Sequence, residues 1–200
     1  MSPATAVDET SFTIATPGNW FSIRLPRGEA GADELADQLS GAWPGGQAPS
    51  EEELRGLVRS LVSAATALDV LCAYATVFNS GERWLPASLV VNAFAQRGQT
   101  LSQIAEQLSG AEAPGRPGAS LVDLPAGPAV RIEQLRESDG SPDGRQPVSL
   151  LVQYVIEAPG SEQALVLTFS TPALGMAEQL RPLFQAMART VRFEGQEPGR

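Results

Sequence analysis

The chain contains no histidine and no lysine, so its 14 basic residues are all arginine. Without an imidazole, Ser-His-Asp and Cys-His arrangements cannot be assembled, and His-ligated zinc, non-haem iron and haem sites are excluded. Without lysine there is no Schiff-base nucleophile and no phosphate-loop lysine. The single cysteine, Cys72, can form neither an intramolecular disulfide nor a multi-thiolate metal site. No run of about 18 apolar residues occurs, so no segment reads as a membrane-spanning helix. Residues 1–11 lack the basic and apolar regions of an export signal. Together with the lone cysteine, that makes a cytoplasmic location the expectation.

Positive charge is outweighed by 23 acidic residues, for a net charge of −9. The arginines form no basic stripe, and a phosphate backbone would be repelled, so no nucleic-acid partner is expected. Two carboxylates can carry glycoside hydrolysis when they lie roughly 5–9.5 Å apart. Glu133 and Glu157 are the acids that fall in apolar strand context. Their polar neighbours near the strand ends favour solvent-facing side chains, and a carboxylate-dependent hydrolase is the third-ranked reading. Asp139 to Gly144 lacks the acidic density of a calcium loop and has the chemistry of a turn. Catalytic residues, cofactors and metals are therefore not expected.

What is present is enough for one domain: 200 residues, 42% hydrophobic, with 19 Gly and 16 Pro clustered between periodic segments. The pattern predicts a single α+β domain over 1–193 and a disordered tail over 194–200. Thr10 to Ala15 and Trp20 to Pro26 read as strands flanking a Thr16-Pro-Gly-Asn19 turn, an opening hairpin, and a weak helix follows within 10–40. Ser50 with Glu53 forms a capping box for a helix over 50–68, its apolar residues at helical spacing. A hairpin over 69–95 begins with Val70 to Phe78, apolar enough for a central strand, and returns at Pro86.

Thr100 with Gln103 predicts a cap for a short helix over 100–108. A four-strand meander over 120–170 follows, with Leu165, Leu167 and Phe169 on one face. The C-terminal helical region spans 172–190. Its main helix is expected to start near Pro182, which cannot sit comfortably in a helix interior. Val191 to Phe193 is a candidate edge strand. These elements define an antiparallel sheet of about six to seven strands covered by helices.

Trp20-Phe-Ser-Ile-Arg-Leu-Pro26 at the start, and Leu165-Val-Leu-Thr-Phe-Ser-Thr-Pro172 with Leu183 to Phe193 at the close, resemble the opening and closing segments of the PsbP-like fold. That fold occurs in a photosystem II extrinsic protein, a Ran-binding import factor and mycobacterial LpqN-type lipoproteins. The resemblance implies an α/β/α sandwich around an antiparallel sheet. It also implies an accessory or binding role, and it transfers no catalytic residues. The chain departs from LpqN-type members in lacking a lipobox cysteine.

Three tryptophans remain to be placed. Trp20 begins a strand and reads as core, whereas Trp43 lies in a Gly/Pro loop and Trp84, beside Arg83, in the loop from Asn79 to Pro86. Trp is enriched in interface hot spots, so Trp43, Arg83 and Trp84 are the expected partner-binding residues. Cys72 and Tyr74 alternate onto one apolar face, Cys72 as an inert thiol and Tyr74 as core. The leading expectation is a non-catalytic interaction or accessory protein with a protein partner. An arginine-only, Ala/Gly/Pro-rich composition points to a GC-rich, actinobacterial genome, and a secretion-related assembly is the narrower expectation. A small-molecule pocket between sheet and helices is the alternative, and a homo-oligomer stays open.

Overall fold

The computed structural model describes residues 5–7, 10–23, 70–79, 84–109, 118–137 and 148–194. Within them the elements are β1 (Thr5–Val7), β2 (Thr10–Thr13), β3 (Phe21–Ile23), β4 (Val70–Asn79), β5 (Trp84–Ala95), α1 (Leu101–Ser109), β6 (Gly118–Leu124), β7 (Gly127–Glu137), β8 (Val148–Glu157), β9 (Gln163–Thr171), α2 (Ala177–Ala188) and β10 (Arg192–Phe193). A single 3-10 turn, Leu174–Met176, leads into α2. Seven strands make one antiparallel sheet in the order β3-β4-β5-β9-β8-β7-β6, and β1, β2 and β10 make a small second sheet.

The large sheet is two meanders, β3 to β5 and β6 to β9, joined where β5 pairs antiparallel with β9. Short connections enforce the β4–β5, β6–β7 and β8–β9 pairs, whereas 46 residues separate β3 from β4. The β6–β7 link turns through Gly127 at φ +128°, a region closed to most L-residues. The segment between β5 and β6 must reach the far edge of the sheet, and it carries α1 on the way. The predicted capping box forms there: the Thr100 amide donates to Gln103 Oε1 at 2.9 Å, and the Gln103 amide to Thr100 Oγ1 at 3.3 Å.

Side-chain parity separates two cores. Tyr74, Leu89, Val91, Val152, Tyr154, Leu165, Leu167 and Phe169 face α2 and the small sheet, joined by Phe12, Ile14, Trp20, Leu180, Phe184 and Val191. Phe184 of α2 stacks on Phe169 at 4.7 Å between ring centroids, and Tyr154 meets the same Phe169 edge-on. The alternate residues Val130, Ile132, Val155 and Val166 face the other way, against Leu101, Ile104 and Ala105 of α1. The expected grouping of Leu165, Leu167 and Phe169, and the core placement of Trp20 and Tyr74, match this arrangement.

Four local expectations differ from the structure. Thr10 to Ala15 and Trp20 to Pro26 do not pair as a hairpin. Instead β2 pairs with β1 and β10, and β3 pairs with β4 in the other sheet. The turn between them carries the chain from one sheet to the next, so its chemistry was read correctly but its product was not. Val70 to Asn79 is second from the edge, and the centre belongs to β9, whose Ala164 to Leu167 are buried on both faces.

Trp84 opens β5 opposite Asn79 and is not a loop residue. Pro182 lies inside α2, not at its start. The ring faces solvent while Leu180, Phe184, Met187 and Ala188 bury the opposite stripe, so packing outweighs the lost backbone bond. The predicted helices within 10–40 and 50–68, the turn at 139–144 and the tail beyond residue 194 fall outside the described residues.

Candidate functional site

Two surface features bring polar chemistry together, one on each face of the large sheet. On the α2 face, β7 presents Arg131, Glu133 and Leu135 in succession, because alternate residues of a strand share a side. The register sets Arg131 opposite Ser120 on β6 and Tyr154 on β8, and Glu133 opposite Gly118 and Val152. Arg181 reaches down from α2 and donates to Glu133 Oε1 through Nε and Nη2, each at 2.8 Å. Arg131 Nη2 donates to the other carboxylate oxygen, Oε2. Glu133 therefore holds two guanidinium groups, and its side chain keeps 24% of its exposure.

Beneath this cluster lies the Tyr154 hydroxyl. The residue is 1% exposed, and its Oη has no hydrogen-bond partner among the described residues. Burial pushes the phenol above its ordinary pKa, while the neighbouring Arg131 guanidinium pulls it back down in part. Burial likewise disfavours the Arg131 cation, yet Glu133 and Tyr154 outweigh that and hold it above its usual value.

On the α1 face a cleft of about 330 Å³ opens between the start of α1 and the β6–β7 turn. Thr100, Ser102, Asp123 and Glu157 supply its polar atoms, and Leu101, Leu121, Val122 and Pro128 its apolar walls. Asp123 pairs with Pro128, and the β7–β8 register carried one step further sets Glu157 beside Pro128. The two acids thus stand two strands apart, about 10 Å at the backbone. Gln96 Nε2 donates to Glu157 Oε1 at 3.4 Å. This arrangement suits a small ligand rich in hydrogen-bond donors.

The pairing of Glu133 with Glu157 fails on geometry. They point to opposite faces, and Glu157 lies five residues along β8 from the Val152 that faces Glu133, about 17 Å of strand. Glu133 is also mid-strand and ion-paired rather than a solvated strand-end acid. Trp43 and Arg83 lie outside the described residues, and of Trp84 only the backbone position is described. Arg131, Arg181 and Tyr154 were not singled out by the sequence. The only signal was the alternation Arg131-Ile-Glu133 within an apolar strand, which marks two charges on one side without naming a partner. No protein-family model matches the chain, and no curated protein matches it.

Proposed function

We propose that the protein is a non-catalytic, cytoplasmic interaction module whose contact surface is the end of the large sheet where β7 leaves it and α2 begins. One observation carries the reading: Leu135 is 59% exposed and Leu174 is 40% exposed, and both stand at that end on the α2 side. The register links them, since Leu135 faces Leu150, Leu150 faces Thr171, and Leu174 follows three residues on. The same end carries the β4–β5 hairpin with Trp84, because the Thr171 hydroxyl donates to the Pro86 carbonyl at 2.8 Å. Large apolar side chains next to arginine, in reach of a tryptophan-bearing hairpin, have the composition of a protein-binding surface.

α1 and α2 pack on opposite faces of the sheet, and we take this as a PsbP-like α/β/α arrangement. Fold analogy raises the prior for an accessory role and supplies no site. A secretion-related assembly of an actinobacterial cell is the narrower form of the proposal, and Trp43 and Arg83 join Trp84 as its further contacts.

Burying a fully exposed leucine is worth about 1.5–3 kcal/mol, so two half-exposed ones contribute together about 2 kcal/mol. A Leu135→Ser/Leu174→Ser variant should therefore bind a captured partner about thirtyfold more weakly. The measurement is quantitative pull-down from host lysate, followed by titration of the purified partner against both forms. Equal affinity for wild type and variant would refute the surface. If no protein is retained in stoichiometric amount, the cleft at Asp123 and Glu157 and a small polar ligand become the better reading.

A further inference from the structure

We propose that Arg131, Arg181 and the Tyr154 hydroxyl form a subsite for one oxyanion, a carboxylate or a phosphate group, on the α2 face of the sheet. The inference stands apart from the protein-partner reading and survives its failure. Its first support is charge. Two guanidinium groups share the single carboxylate of Glu133, a local surplus of one positive charge in a chain of net charge −9. The second is unused donors. A guanidinium carries five N–H groups in a rigid fork. Arg131 gives Nη2 to Glu133 and has the Tyr154 hydroxyl beside it, and Arg181 gives Nε and Nη2, so each five-donor fork keeps N–H groups to spare.

The third support is Tyr154, whose buried hydroxyl lies beside the Arg131 guanidinium and makes no well-formed hydrogen bond among the described residues. A buried polar group is rarely left unsatisfied, and a hydroxyl at the base of an arginine pair supplies the donor that an oxyanion oxygen takes. Space is available as well. The β6 residues facing Glu133 and Arg131 are Gly118 and Ser120, both small and exposed. A Cβ on Gly118 would meet nothing nearer than the Glu133 carbonyl at 3.9 Å. Glu133 positions both forks, so their remaining N–H groups are held in place before the anion arrives.

The test is thermal unfolding of the full chain with inorganic phosphate or acetate, against sodium chloride at matched ionic strength. The Arg Nε–H resonances are followed in parallel by nitrogen-15 NMR. An anion at about ten times its dissociation constant should raise Tm by about 3–6 °C and shift the Arg131 and Arg181 signals saturably. Arg181→Gln should remove the shift, and Tyr154→Phe should weaken apparent affinity about tenfold while the unfolding transition stays cooperative. Saturation by acetate and phosphate alike assigns a carboxylate ligand, and saturation by phosphate alone assigns a phosphate. Two results overturn the proposal: a Tm rise equal in wild type and Arg181→Gln, which is general salting, or resonances that stay fixed throughout the titration.

Discussion

Replacing Glu133 by Gln removes the charge that holds α2 to β7. Its carboxylate receives Arg131 Nη2 on one oxygen, and Arg181 Nε and Nη2 on the other at 2.8 Å each. Fully exposed ion pairs contribute about 0.2–1 kcal/mol, while removing one partner of a buried pair costs about 3–5 kcal/mol. With 24% of the Glu133 side chain and 37% of the Arg181 side chain still open to water, the pair belongs nearer the first regime. The expected loss for Glu133→Gln is about 1–2 kcal/mol. At about 2–4 °C per kcal/mol for a chain of this size, Tm falls by about 2–8 °C.

The assay is urea unfolding of the double-mutant cycle formed by Glu133→Gln and Arg181→Gln, with hydrogen exchange read on the α2 amides. Urea carries no charge, so it leaves the ion pair unscreened. Coupling of about 0.5–1.5 kcal/mol, together with faster exchange in α2 for either single variant, is the predicted result. Coupling below about 0.3 kcal/mol with unchanged exchange would refute the reasoning. Helix α2 would then be held by its apolar stripe of Leu180, Phe184, Met187 and Ala188, with the arginines merely lying on the surface.

Two further outcomes follow from the packing. Burial pushes the Cys72 thiol up to about 11 from an ordinary 9.0, with its contact to Tyr74 offsetting a part. Below pH 9 the thiol is protonated in both folded and unfolded chains and costs nothing. As pH rises from 9 toward 11 the unfolded chain ionises first, so stability falls by about 2–3 kcal/mol across that window. Cys72→Ala should flatten this alkaline fall in the urea midpoint, and native Cys72 should resist iodoacetamide at pH 8. Rapid alkylation of the folded chain would contradict the placement. Pro182 faces solvent within α2, where an alanine would restore an amide for the Glu178 carbonyl. Pro182→Ala should therefore stabilise the chain by about 1–3 kcal/mol, measured in the same urea assay, and a loss of stability would show that the ring packs.

Where local chemistry alone decides, the sequence was sufficient. Thr100 and Gln103 satisfy each other's amides within one turn, so the start of α1 needed no tertiary information. The turns between β6 and β7 and between β8 and β9 likewise force antiparallel neighbours. The failures came where a distant element chooses. Thr16-Pro-Gly-Asn19 closes a hairpin only if both flanking strands enter one sheet, and β2 instead finds β10 about 180 residues downstream. Pro182 looked like a boundary because helix propensity is local, yet the buried stripe of Leu180, Phe184 and Met187 spans it.

The α2-face cluster shows why a site of this kind stays hidden in a sequence. A period of two puts Arg131, Glu133 and Leu135 on one side of β7, but it leaves open which side that is. Both sides of the strand carry apolar residues, Ala129 on one and Val130 and Ile132 on the other. The side is chosen by α2, which lies over Val152, Tyr154 and Phe169 and brings Arg181 to within 2.8 Å of Glu133. Residues 131 and 181 are 50 apart, and no local rule couples them. The absent histidine and lysine could therefore narrow the chemistry to arginine and carboxylate from the start. Only the register of β6, β7 and β8, with one helix laid across them, could say which arginines meet which carboxylate. The same register that assembles Arg131, Glu133 and Arg181 separates Glu133 from Glu157. One pairing pattern thus gathers two arginines on Glu133 and keeps Glu133 and Glu157 from sharing a site.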